Sequence, residues 1–154
     1  MTVSSTPLSP MSYLATLGPV GHISRAPGTI GSALAAIFGY HIAEYGTVVM
    51  VALTVLVTIV GIFAANSYIE ATGRKDPPEV IIDEVVGQWL ALTLLPHEVM
   101  WYVIGFVLFR IFDILKPGPI KTVEGLNGGI GVMADDLIAG LLTGLCLWTA
   151  SQLL

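Results

Sequence analysis

Charge is scarce in this chain: 6 Lys and Arg with 11 Asp and Glu make up only 11% of its 154 residues. A soluble domain carries about a quarter charged residues. That scarcity, with 55% hydrophobic residues, excludes ordinary soluble composition and leads us to expect an integral membrane protein of one domain over residues 1–154. Bases are the minority, and a net charge of -5 argues against a nucleic-acid partner. Cysteine is nearly absent. The lone Cys146 excludes an intrachain disulfide, and its apolar segment favours interior packing over thiolate chemistry. Of the 3 histidines, His41 falls in an apolar segment and His97 in a separate connection, so paired-histidine catalysis lacks parts. His22 stays open between orienting a ligand and a plain loop role. Also missing is a basic stretch leading into an early apolar run, and Pro7, Pro10 and Pro19 interrupt the start. We therefore expect no cleavable signal, only a polar N-terminal segment over residues 1–25.

What is present is hydrophobicity in blocks. Five helices are expected, at Thr29 to Glu44, Val48 to Thr72, Glu84 to Leu95, Val99 to Leu115 and Asp136 to Leu154, which predicts an all-α polytopic membrane bundle. The second and fifth reach spanning length comfortably. The third, ~18 Å long at 1.5 Å per residue, falls short of a hydrocarbon core of ~30 Å. If all five cross from an inside N-terminus, every Lys and Arg (Arg25, Arg74, Lys75, Arg110, Lys116, Lys121) lies inside, as the positive-inside rule demands. Tyr40, Tyr45, Trp101, Tyr102 and Trp148 then fall toward the outer ends, where an aromatic belt or simple core filling both account for them. Glu44 and Glu98 lie outside. The other acids, Glu124 among them, gather on the inner face.

Among these, Asp83, Glu84, Asp113, Asp135 and Asp136 sit at expected helix ends beside Arg110 and Lys116. Clustered carboxylates repel unless neutralised, and a hard divalent cation with oxygen ligands does this; Mg2+ is the natural candidate and implies a phosphate-bearing substrate. In "RIFDILKPGPIK" the cation, carboxylate and cation at 110, 113 and 116 are spaced by three, so neighbours share a helical surface suited to phosphate oxygens. A row of helix-end salt bridges, with Lys116 and Lys121 as topology anchors, is the plainer alternative. In "RAPGTIGS" Pro27 and Gly28 form a turn and Thr29 is a candidate N-cap, presenting amides to an anion. "GLNGGIGVMADD" reads as a glycine loop allowing close backbone approach before a last helix that Asp135 could cap. Gly140 and Gly144 follow Asp136 at intervals of four, a small-residue face that draws a neighbouring helix in. No Asp-x-Asp pair occurs, which leaves water activated at a metal as the leading nucleophile and a carboxylate nucleophile open.

"APGTIGS", "IIDEVVGQW", "FRIFDILKPGPI" and "GGIGVMADDLIAG" resemble, in order, four blocks of the phosphatidylglycerophosphatase A family. The resemblance spans Ala26 to Gly140. It implies an all-helical, Mg2+-dependent lipid phosphatase of the bacterial cytoplasmic (inner) membrane, converting phosphatidylglycerophosphate to phosphatidylglycerol and inorganic phosphate at cytoplasmic helix ends. By the same resemblance Asp83, Glu84, Asp113 and Asp136 are catalytic and, with Asp135, metal-binding. Thr29, Ser32, Arg110 and Lys116 contact phosphate, and Arg25 receives no fixed role. The competing class is an ion-coupled transporter or channel subunit with a carboxylate cation site; against it, the acids gather at one face and no inverted repeat is visible. A structural subunit leaves the carboxylates unexplained, and synthesis from nucleotide-activated lipid lacks its long Asp/Gly/Ala/Arg signature.

Overall fold

The computed structural model describes residues 9–123 and 125–154; Pro7 and Glu124 lie outside them. Among the described residues the chain is helical with no strand: α1 (Pro10–Ala15), α2 (Val20–Ile23), α3 (Pro27–Ala43), α4 (Thr47–Thr72), α5 (Ile82–Leu92), α6 (Val99–Leu115), α7 (Pro119–Val123) and α8 (Gly128–Ser151). Helices α3 to α6 and α8 fall on the apolar segments. Two of them, α4 and α8, are long and apolar enough to cross a membrane.

Local chemistry sets the boundaries. Pro27 opens α3 at a position where its missing N–H costs nothing, and Gly73 ends α4 with φ 67°, its amide returning to the Ile69 carbonyl. Lys116 ends α6 in the left-handed region at φ 46°, immediately before Pro117. Inside the apolar helices, hydroxyls of Thr54, Thr58, Thr93 and Thr143 donate to the carbonyl four residues back, so they carry no unmet polar group into the interior.

Two expectations are corrected, and the N-terminal segment proves to carry helices. The N-terminal segment contains α1 and α2; α1 docks on α4 through Ser67, whose hydroxyl meets Ser9 at 2.8 Å and Ser12 at 3.0 Å. The last helix begins at Gly128 instead of Asp136, because the amide of Gly129 donates to Asn66 Oδ1 of α4 at 2.6 Å. A cap supplied by a distant helix thus overrides the low helix propensity of glycine. Cys146 is exposed on α8 and does not pack in the interior.

Helix α5 is the hub, touching α3, α4, α6 and α8. It is ~16 Å long at 1.5 Å per residue, and most of it is buried, including Asp83 and Gln88. The small-residue face of α8 does what its spacing predicts: a Cβ on Gly140 would land on the Gly87 carbonyl, and one on Gly144 would lie 3.3 Å from the Ala91 carbonyl oxygen. Backbones of α5 and α8 therefore meet without intervening side chains. Outward faces of α4 (Val51, Val55, Ile59) and α6 (Val103, Val107, Ile111) are apolar and exposed.

Candidate active site at one end of the bundle

The close approach of α5 and α8 fixes the chemistry. Asp83 and Glu84 stand in the first turn of α5, where negative charge is favoured by the helix dipole. Asp136 faces them from α8, and one oxygen from each of the three carboxylates lies within 4.8 Å of the others. Asp83 and Asp136 are buried, and Glu84 is nearly so. Asp83 Oδ1 accepts the Glu84 amide at 3.1 Å. In contrast, Glu84 Oε2 and Asp136 Oδ2 are buried with no hydrogen-bond partner. Buried acceptors without donors, on groups of like charge, are the arrangement a hard cation relieves.

Two bases flank the acids. Arg110 Nη1 pairs with Asp113 Oδ2, lies 3.7 Å from Glu84 Oε1 and donates to Ser32 Oγ at 3.4 Å. Lys116 Nζ donates to Asp135 Oδ2 at 2.6 Å. Ser32 is fully buried and its hydroxyl donates to the Gly28 carbonyl at 2.8 Å. A cleft of about 250 Å³ joins these groups; Ala26, Pro27 and Gly28 at the start of α3 line it with Asp83, Glu84, Arg110, Asp113, Lys116, Asp135 and Asp136. Because Ala26 at the N-cap offers no side-chain acceptor, the first amides of α3 are left for another acceptor. A Cβ at Gly28 would strike Glu84 Oε1, so a larger residue there would displace the Glu84 carboxylate.

The family model described as Phosphatidylglycerophosphatase A matches residues 13–151. A phosphatidylglycerophosphatase A of Escherichia coli is 35% identical over 120 residues, covering 76% of this chain and 69% of that protein. One from Haemophilus influenzae is 34% identical over 137 residues, 87% of this chain and 84% of that protein. A Bacteroides thetaiotaomicron protein named "Putative phosphatidylinositol-3-phosphatase" is 42% identical over 124 residues, 75% of this chain and 77% of its own. No solved structure matches significantly. The chain belongs to the phosphatidylglycerophosphatase A family. It is a phosphatase, and the four blocks of family resemblance, separated along the chain, meet at this one cleft.

Within this family member the predicted residues divide. Asp83, Glu84 and Asp136 form the carboxylate cluster, whereas Asp113 and Asp135 line the same cleft but each engages a base. Arg110 and Lys116 line it too, and Ser32 joins through Arg110. Thr29 does not line the cleft and is not the N-cap, since α3 starts at Pro27 and Ala26 occupies that position. Asp135 is not an N-cap either, because α8 has completed its first turn before reaching it. Asp76, Pro77, Pro78 and Val80 were not foreseen as cleft walls. The acid and two prolines in "RKDPP" were the only signal, since a rigid turn beside a conspicuous acid marks a placed loop. Arg74 holds that loop with a two-pronged bond to Glu79, at 3.2 and 2.9 Å.

Proposed function

We propose that the protein hydrolyses the phosphate monoester of phosphatidylglycerophosphate, releasing phosphatidylglycerol and inorganic phosphate, with Mg2+ as its cation. The observation that carries this reading is the cluster of Asp83, Glu84 and Asp136, which holds two partnerless buried oxygens and whose Glu84 lies 3.7 Å from Arg110. Bound there, Mg2+ would neutralise the acids and acidify a coordinated water. Arg110 presents its guanidinium to the phosphate oxygens through Nη2, free among the described residues, Lys116 a point charge, and the start of α3 its amides. Charge that develops on the phosphoryl oxygens during transfer is held by these groups. Hydrolysis forms one phosphorus to oxygen bond from water and breaks the bond to the glycerol oxygen, which leaves as the alcohol after gaining a proton.

The placement we propose is multi-pass, with α3 to α6 and α8 in the bilayer and the cleft toward the cytoplasm of a bacterial inner membrane. Supporting it, Arg25 and Lys75 directly adjoin cleft-lining residues, Arg74 bonds to Glu79 between the cleft-lining Pro78 and Val80, Arg110 and Lys116 line the cleft, and Lys121 follows in α7. All the Lys and Arg thus gather at the cleft end. The short α5 crosses under cover of its neighbours. A lipid headgroup arrives at this depth while its acyl chains stay in hydrocarbon, so ligands fixed on helix ends meet the phosphate without ordering a loop. A transporter site is disfavoured, because the acids sit at one end of the bundle and not halfway along it.

The more identical Bacteroides relative is named for an inositol lipid, which makes substrate choice the discriminating test. Purified protein in detergent should release phosphate from phosphatidylglycerophosphate with kcat/KM at least about 10-fold above that for phosphatidylinositol 3-phosphate. The reverse order would reassign the substrate.

A further inference from the structure

Gln88 is a buried polar side chain that does not line the cleft. Glu84, Gln88 and Leu92 repeat at intervals of four along α5 and so form one row on its surface. At one end of the row Glu84 abuts Gly28 of α3 and approaches Arg110 of α6. At the other, Leu92 lies against Gly39 of α3 and Gly105 of α6. The row therefore faces the seam between α3 and α6, with Gln88 in its middle, one turn beneath the cleft. Gln88 is 0% exposed, and neither its Oε1 nor its Nε2 has a hydrogen-bond partner. Burying an amide in this way destabilises a fold, so packing alone favours an apolar side chain of the same size.

Two more partnerless buried atoms border the same seam, Glu84 Oε2 and Arg110 Nε. With the two ends of the Gln88 amide they make a balanced set of two acceptors and two donors. We propose that Gln88 is a positioning residue of the phosphate site: when the cleft takes up phosphate, its Nε2 donates to Glu84 and its Oε1 accepts from Arg110 Nε–H. This fixes the plane of the guanidinium while Nη1 remains with Asp113 and Ser32. The proposal rests on the phosphatase reading above, and it gives Gln88 a role through Arg110 without contact to the substrate.

The test uses Gln88→Met, near in volume but without hydrogen bonds, alone and combined with Arg110→Lys, in the full-length protein. Gln88→Met should melt no lower than the parent and lose at least about 10-fold in kcat. In the Arg110→Lys background the same change should cost less than about 2-fold, because the group it orients is gone. Full activity of Gln88→Met, a loss that simply adds to that of Arg110→Lys, or failure of Gln88→Met to fold each overturns the proposal. Failure to fold counts because an amide needed only in the loaded site is dispensable for folding. Asp136→Asn, run in parallel, separates the two readings: if it releases phosphate like the parent, the carboxylate site itself is wrong, whatever Gln88 does.

Discussion

Lys116 Nζ donates to Asp135 Oδ2 at 2.6 Å, tying the left-handed end of α6 to the second turn of α8 across the cleft. Both side chains are mostly buried. Removing one partner leaves the other charge in place without compensation, which costs more than the pair contributes. Lys116→Met should therefore destabilise the fold by about 1–3 kcal/mol and lower phosphate release, read by thermal melting and a phosphate assay on the same sample. An unchanged melting temperature would reduce the pair to a surface contact.

Isosteric neutralisation separates ligands from bystanders. Asp83→Asn, Asp113→Asn and Asp136→Asn should each lower turnover at least about 100-fold, since a lost ligand or displaced phosphate costs about 3 kcal/mol of barrier. In chelator, Asp136→Asn should melt at or above the parent, because one of three mutually repelling acids is gone. Glu44→Gln and Glu98→Gln, remote from the cleft, should match the parent in both readouts.

Gly87 offers a mechanical test. A Cβ there would lie 2.6 Å from the Asp136 carbonyl oxygen and 2.7 Å from Phe109 Cε2, so Gly87→Ala must push α5 away from α8. Alanine is intrinsically better in a helix by about 1 kcal/mol, but overpacking of about 1–3 kcal/mol against a backbone atom outweighs this. Melting temperature and activity should fall together. Gly144→Ala, whose nearest contact would be 3.3 Å, should be tolerated better.

The loop that walls the cleft carries its own pH signature. Burial works against the charged form of Glu79, but the bonds from Arg74 and the loop backbone outweigh it and hold the carboxyl below its ordinary range. A depressed native value stabilises the fold above the unfolded value, and that gain disappears as pH falls through the native one. The melting-temperature difference between parent and Glu79→Gln should be present at neutral pH and vanish in acid. The effect is small, because the pair is partly exposed. A difference that grows on acidification would contradict the assignment.

Particular residues show what the sequence could carry. The acids of α5, the 110, 113, 116 spacing and the glycines after Asp136 were legible because helical periodicity alone brings such groups together. The start of α8 was not, since its cap is Asn66 on another helix. Thr29 was misplaced as a cap because Pro27 begins the helix two residues earlier. The clustering of Asp83, Glu84 and Asp136 and the pairing of Asp135 with Lys116 depend on helix-to-helix distance, a quantity no local pattern encodes, whereas the Arg110–Asp113 pair follows from its spacing of three. Gln88 escaped notice because a lone amide in an apolar run gains meaning only once both its ends prove partnerless.

The central claim is that Asp83, Glu84 and Asp136 hold a divalent cation that phosphate release requires. Its most direct test is phosphate release from phosphatidylglycerophosphate by purified, metal-stripped protein, followed as Mg2+ is added back. The account predicts no turnover in chelator, recovery that saturates with Mg2+, and no recovery in Asp136→Asn at the Mg2+ level that restores the parent. Undiminished release from the exhaustively chelated parent would contradict it.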